Sequence, residues 1–408
     1  MVVGMAVRRA EGDVGDGTGS PADGEGTDSP SGPPGPPGPV GASAVGSGPK
    51  RRRRRRLRLA GVAGVVVLAG AAAAGWAVYA KLEGNITADE AAAAELARYD
   101  KERPTALVHG AQNVLLIGSD SRAGEGNARY GRDSGTERSD TTILLHLAAG
   151  RDSATAVSLP RDLMVAVPGC RRPDGSRTTP GLAMFNHAFE VGGSACTVRT
   201  VEKLTGVRVD HYAVVDFAGF KEMVDAVDGV RVCLREPVDD KAAKLRLPAG
   251  RVTLDGEQAL GYVRARKSLG DGSDTDRMER QQRFLGALVG KVSGNGVLLN
   301  PVKLYPVLDA ATSSLTTDPG LASLRSLYNL VRGLRDIPTE QVRFLTVPRE
   351  AYPGNPNRDR LVQPDAERLF ARLRTDAPVS VSAAHPSGTP RPPAPTFSGN
   401  TAAQDVCG

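Results

Sequence analysis

Apolar positions along the chain follow two regimes. From Leu59 to Ala80 they run unbroken for 22 residues without a charge, mostly Ala, Val, Gly and Leu. At about 1.5 Å per residue a helix of that length reaches roughly 33 Å, enough to cross a hydrocarbon core of about 30 Å. Trp76 and Tyr79 lie near its far end, where interfacial aromatics belong. Further on the apolar runs are short and bounded by turn residues, as in buried strands. They are NVLLIGS from Asn113, TTILLHL from Thr141, ATAVSLP from Ala154, HYAVVDF from His211, VRVCL from Val230 and VRFLTV from Val342. Helical patterns separate them: Thr197 to Leu204, Phe217 to Val227, and a 3.6-period face of Leu321, Leu324, Leu327, Val331 and Leu334. Strands alternating with helices predict an α/β fold, a layered sheet with helices on both sides.

The flanks set the boundaries. Residues 1–49 are rich in Gly, Pro, Ser and Asp, with PPGPPGP at Pro33 to Pro39, and cannot bury a core. Arg51 to Arg56 follow and abut the apolar span. The expected organisation is a disordered cytoplasmic tail with the basic run over 1–56 and one transmembrane helix over 57–80. A helical stalk follows over 81–104, with Thr87 as its N-cap and Glu90 as capping-box partner. A folded domain then covers 105–376, and a Pro/Ser-rich disordered tail 377–408. The positive-inside rule places the N-terminus in the cytoplasm and the folded domain outside it. A buried Ala-rich core helix and a cleaved signal peptide are the competing readings of the span. The long leading tail and the lack of a clear A-x-A site weigh against the second.

Charge changes little beyond that. The net charge is +6, but Lys50 to Arg58 carries eight positive charges, leaving −2 for the rest. Nucleic acid is therefore not an expected partner. Arg outnumbers Lys 42 to 10, so an arginine signals something only at a patterned position. Cys170, Cys196, Cys233 and Cys407 match no zinc spacing and suit disulfides in an oxidising compartment. Cys170–Cys196 is the first pairing to expect, with Cys196–Cys233 nearly as plausible.

The chemistry lies in charges at the ends of apolar strands. Asp120 and Arg122 follow the strand ending at Gly118, Arg138 and Asp140 precede the strand from Thr141, and Arg161 and Asp162 follow the strand ending at Leu159. Such positions face the crevice where α/β sheets bind ligands. Arg264 and Arg266 in YVRARKS share one side of an extended segment. In DTDRMERQQRF, Arg277 and Gln281 share a helix face, and Arg280 and Phe284 a neighbouring one. Taken singly, each arginine reads as a surface ion pair. As a set, two acids with five or six arginines suggest a magnesium ion and a polyphosphate. No G-x-S-x-G, H-E-x-x-H or P-loop signature is present.

Eight segments in order carry a resemblance to the LytR-CpsA-Psr family of bacterial cell-wall proteins. They are NVLLIGSDSR, RSDTTILLHL, SLPRDL, FNHAFEVGG, TVEKLTGVRVDHYAVVDFAGF, VDAVDGVRVC, LDGEQALGYVRARKS and DRMERQQRF, within roughly residues 110–375. The resemblance implies a three-layer α/β/α sandwich with a central mixed sheet and a long apolar pocket, preceded by one transmembrane helix. It implies transfer of a glycopolymer from a polyprenyl-pyrophosphate carrier in the membrane to peptidoglycan. Asp120 and Asp140 would hold magnesium (or manganese). Arg138, Arg161, Arg264, Arg266 and Arg277 would grip the pyrophosphate or hold the acids, assisted by Gln281, with Arg122 a further contact. Asn186 takes the place of an Asn in the family's K-I-N-A-A motif, but here a longer Cys170 to Cys196 segment surrounds it. The stretch between Asp120 and Asp140 is also longer than in many relatives.

Three other functions remain to be separated from this one. A hydrolase of the same pyrophosphate would use the same residues, with water replacing the sugar hydroxyl. A non-catalytic module would bind the lipid or glycan without turnover. A transcriptional regulator lacks any helix-turn-helix pattern here and would face DNA across a membrane.

Overall fold

The computed structural model describes residues 50–119, 139–241, 243–265, 274–294, 301–382 and 396–404. The chain divides into two units, Met1–Val67 and Leu68–Gly408, within its first helix. That helix, α1 (Lys50–Asn85), extends beyond both ends of the 57–80 span expected. The most apolar 18-residue stretch within Arg55–Asn85 has a mean hydropathy of 2.0, and none of it is buried. This excludes a core helix and fits a single membrane crossing. The expected tail over residues 1–49 lies outside the described residues.

The expected stalk over 81–104 is helical only in part, and Thr87 is not its N-cap. Thr87 starts a short strand, β1 (Thr87–Ala88), and α2 (Glu90–Ala97) follows with Asp89 as its N-cap, accepting from the Ala92 N–H. Ala92 and Leu96 of α2 are buried in the core. Leu96 and Ala92 are four apart, so the Ala-rich sequence offers one small apolar face to the domain.

The domain continues with β2 (Gln112–Ser119), β3 (Ser139–Leu147) and β4 (Ala154–Leu159). A hairpin, β5 (Met164–Val167) and β6 (Gly181–Met184), leads to α3 (Asn186–Thr205). Next come β7 (His211–Val215) and α4 (Phe217–Ala226). Two small antiparallel pairs follow: β8 (Val230–Leu234) with β11 (Gly250–Leu254), and β9 (Val238–Asp240) with β10 (Leu245–Leu247). Helices α5 (Gly256–Arg264), α6 (Asp274–Gly294) and α7 (Pro301–Ser313) come next. Then β12 (Leu315–Thr317), α8 (Leu324–Arg335) and β13 (Val342–Thr346) precede the pair β14 (Arg349–Tyr352) and β15 (Asn355–Leu361). The chain closes with α9 (Asp365–Arg374), β16 (Ser380–Ser382) and β17 (Thr396–Thr401).

The central mixed sheet has the order β1-β12-β7-β2-β3-β4-β13-β17-β16. Five of the six expected strands lie in it. The sixth, β8, pairs only with β11 in a separate ribbon. Alternation along the strands sorts the two faces. Leu115, Ile117, Leu144, Val157 and Leu159 pack with α2, α3 and α9. Leu116, Ile143, Leu145, Ala154 and Ala156 pack with Leu285 of α6 and Leu330 and Leu334 of α8. Helices on both faces complete the α/β/α sandwich.

Three expectations are corrected here. The tail over 377–408 is not wholly outside the fold, because β16 and β17 extend the sheet and Val379 and Phe397 are buried in the core. Val331 does not belong to the inward face of its helix: it is 44% exposed, while Leu330 packs inward. Cys170 bonds Cys196, which rules out Cys196–Cys233. Cys233 is itself disulfide-bonded, and Cys407 lies outside the described residues. The Cys170–Cys196 bridge packs on Gly192, where a Cβ would meet the Cys196 Cβ at 2.7 Å. A glycine is needed for that approach, and α3 kinks at Gly192 and Gly193.

Candidate active site

Strand register brings the first acid and arginine together. Thr142 of β3 faces Leu159 of β4. Two residues before Thr142 and two after Leu159, Asp140 stands across from Arg161, and Arg161 Nη1 donates to Asp140 Oδ1 at 2.8 Å. Arg161 Nε donates to Asp162 Oδ2 at 3.2 Å. Arg358 reaches the other oxygen of Asp162 at 3.7 Å. Burial works against the Arg161 charge, but Asp140, Asp162 and Asp274 more than offset it and hold the guanidinium above its ordinary pKa.

Asn186 supports this turn from behind. Its backbone N–H donates to the Arg161 carbonyl at 3.0 Å, and the Phe185 N–H donates to Leu163 at 2.8 Å. The Asn186 side chain is buried, and its Oδ1 has no hydrogen-bond partner among the described residues. Asn186 therefore positions the Arg161 segment and does not line the cavity described next.

Helices α5 and α6 supply the other charged groups. Arg277 is buried on α6, with Nη2 2.6 Å from Asp274 Oδ1. Gln281, one turn on, donates from Nε2 to the Val263 carbonyl at 3.2 Å, tying α6 to α5. Arg264 ends α5 with its guanidinium 4.5 Å from the centre of the Phe217 ring, a cation–π contact that orients it. Arg280 does not join this set; it is buried and donates to the Ala265 carbonyl.

Asp140, Arg161, Arg264, Arg277 and Gln281 all border one cavity of about 410 Å³. Its body is apolar. The sheet contributes Leu116, Ile117 and Ile143, and the helices contribute Phe220, Met223, Leu260, Phe284 and Leu288. Phe220 and Phe284 meet in a tilted contact, 5.6 Å between ring centres. The cavity is thus a greasy slot between the sheet and α4, α5 and α6, with charges at its edge. That shape suits a ligand with an apolar tail and an anionic head.

Asp120, Arg122, Arg138 and Arg266 lie outside the described residues. Three groups at the site were not singled out in the sequence for this role: Asp274, Asp216 and the aromatic side of α4. Asp216 lines the cavity and caps α4, accepting from the Gly219 N–H. The only hint of it was the DF that closes the HYAVVDF run.

Among the described residues, no three His, Cys, Asp or Glu side chains converge as a metal cluster. Asp140 offers hard carboxylate oxygens at the cavity edge. Magnesium usually takes one or two protein carboxylates beside substrate phosphates, so this donor set fits it.

Residues 78–374 match the model of the LytR_cpsA_psr family. The chain is 40% identical over 233 residues to a probable cell wall biosynthesis protein, LcpB, of Corynebacterium glutamicum, covering 55% of this chain and 53% of that protein. It is 32% identical over 216 residues to the polyisoprenyl-teichoic acid–peptidoglycan teichoic acid transferase TagU of Enterococcus faecalis, covering 53% and 64%. The solved structure of TagT bound to LI-WTA superposes with a TM-score of 0.51 at 25% identity, covering 68% of this chain and 97% of that one. The chain thus spans about half the length of LcpB and under two thirds of TagU.

Proposed function

Because the chain belongs to the LytR_cpsA_psr family, we propose that it is a membrane-anchored phosphotransferase that moves a cell-wall glycopolymer from a polyprenyl-pyrophosphate carrier to peptidoglycan. The observation that carries this reading is the cavity, apolar in its body and bordered by Asp140, Arg161, Arg264 and Arg277. The polyprenyl tail would fill the apolar slot, leaving the pyrophosphate among the charges. Relatives named as teichoic acid transferases support the same chemistry.

A hydroxyl of the acceptor attacks the phosphorus next to the glycan. A new oxygen–phosphorus bond forms, the bond to polyprenyl phosphate breaks, and the hydroxyl proton is released. Arg264 and Arg277 stabilise charge on the phosphate oxygens, with Arg266 and Arg138 as further contacts. Arg161 fixes Asp140 and adds positive charge. Asp140 with Asp120 would hold magnesium, which when bound supplies charge neutralisation at the phosphates. Positioning and electrostatics account for most of the acceleration in such transfers. The basic run at the start of α1 supports a cytoplasmic N-terminus and a domain outside it, where the acceptor would be.

The test is reaction of the purified full chain with lipid-linked glycan, with and without peptidoglycan. Glycan attached to peptidoglycan is expected, and Arg161→Ala or Asp140→Asn should each slow transfer by about 10²–10³-fold. Glycan phosphate released into solution regardless of acceptor would replace transfer by hydrolysis. Binding without turnover would leave only the lipid-binding module.

A further inference from the structure

Helix α8 has an unexplained outer face. Its inward side packs through Leu330 and Leu334. At about 100° per residue, Arg325, Tyr328, Val331, Arg332 and Arg335 fall within roughly a third of the helix circumference on the other side. All five are exposed, Tyr328 at 62% and Val331 at 44%. Arginines elsewhere in the domain are widely paired with acids. Arg325, Arg332 and Arg335 form no ion pair or hydrogen bond among the described residues.

The position of this face says what it meets. Within the unit Leu68–Gly408, Glu83 of α1 caps the start of α8: its Oε2 accepts from the Leu324 N–H at 2.9 Å, beside the Ser323 cap. Lys81 and Asn85 bind Asp309 of α7 at 3.0 and 2.9 Å. The uncharged run of α1 ends at Ala80. Glu83 therefore stands about 4.5 Å beyond the hydrocarbon edge. The headgroup layer is about 5–7 Å deep on each side. The first turn of α8 is thus fastened at headgroup level. A face of three cations around a tyrosine and a valine matches what anionic bilayers attract.

We infer that the outer face of α8 is a second membrane contact, with Arg325, Arg332 and Arg335 binding anionic phospholipid headgroups while Tyr328 and Val331 enter the interfacial layer. The inference rests on α1 crossing the bilayer, and the test reads the two separately. The chain has one tryptophan, Trp76, inside α1. Full-length protein is reconstituted in vesicles of brominated phosphatidylglycerol, once as the natural chain and once as Trp76→Phe with Tyr328→Trp. Loss of most of the emission is expected in both. Quenching of Trp76 with no quenching at position 328 overturns the inference while sparing the anchor. No quenching of Trp76 overturns the anchor itself, and the α8 contact with it. Adding Arg325→Gln, Arg332→Gln and Arg335→Gln should abolish the signal at position 328, and the same loss is expected in pure phosphatidylcholine vesicles. Unchanged quenching in either case overturns the role given to anionic headgroups.

Discussion

At the scale of residues, the arginines of the site divide into two kinds. Arg161 and Arg277 face carboxylates, Asp140 and Asp274, whereas Arg264 lies against an aromatic ring. The first two hold acids in place before any phosphate arrives. Arg277→Ala is therefore expected to lower stability as well as activity. Stripping one partner from a largely buried ion pair costs about 3 kcal/mol, measurable as a shifted midpoint in urea unfolding. Arg264→Ala should slow transfer as well, read as the rate of glycan attachment to peptidoglycan. Much of this site was legible, since charges at strand ends carry their own signal. Asp274 was not, because an acid one turn from an arginine reads as an ordinary surface pair. Only tertiary packing, which no local pattern fixes, shows that Asp274 of α6 acts on Arg161 together with Asp140.

At the scale of elements, legibility followed the length and apolarity of each segment. Strands β2, β3, β4 and β13 announced themselves as apolar runs. Strand β17, TFSGNT, has no such run, and its place is decided by pairing with β13. The same holds for Thr87 and Ala88, which make a strand only because Thr316 and Thr317 lie alongside. Periodicity placed α8 correctly but turned it by one position, because Leu330 and Val331 are interchangeable to an apolar count. The Cys170–Cys196 bridge closes a separation of 26 residues. Loop-closure entropy then assigns it about 3–4 kcal/mol. Cys170→Ser with Cys196→Ser is expected to lower the unfolding free energy by that amount in denaturant titration, with the β5–β6 hairpin loosened first.

At the scale of the molecule, one ion pair links acidity to stability. His211 Nδ1 lies 3.1 Å from Asp318 Oδ1, and Asp318 also accepts from the Tyr212 and Gly320 N–H groups. Asp318 holds the His211 pKa above its ordinary value, against burial. Burial opposes the Asp318 charge in turn, but His211 and the two backbone donors outweigh it and keep its pKa low. A raised histidine stabilises fully below its unfolded pKa of about 6.5 and loses that contribution as pH rises through the folded value. A depressed aspartate stabilises above about 3.9 and loses its contribution as pH falls through the folded value. The pair therefore favours folding most between about pH 4 and 6.5. Thermal melts followed by circular dichroism should show a higher Tm at pH 6 than at pH 8, and His211→Gln should flatten that difference. The contacts of Lys81, Glu83 and Asn85 with α7 and α8 have a mechanical consequence as well. An anchor joined to its domain by a slack linker lets the catalytic mouth swing through a hemisphere and sample many heights. Here the exit of the anchor is bolted down within a few residues, so the height of the mouth above the bilayer becomes a constant of the molecule. Under the proposed function, its search would be reduced to two-dimensional drift beneath the wall, and only acceptor strands that hang to that one altitude would come within reach.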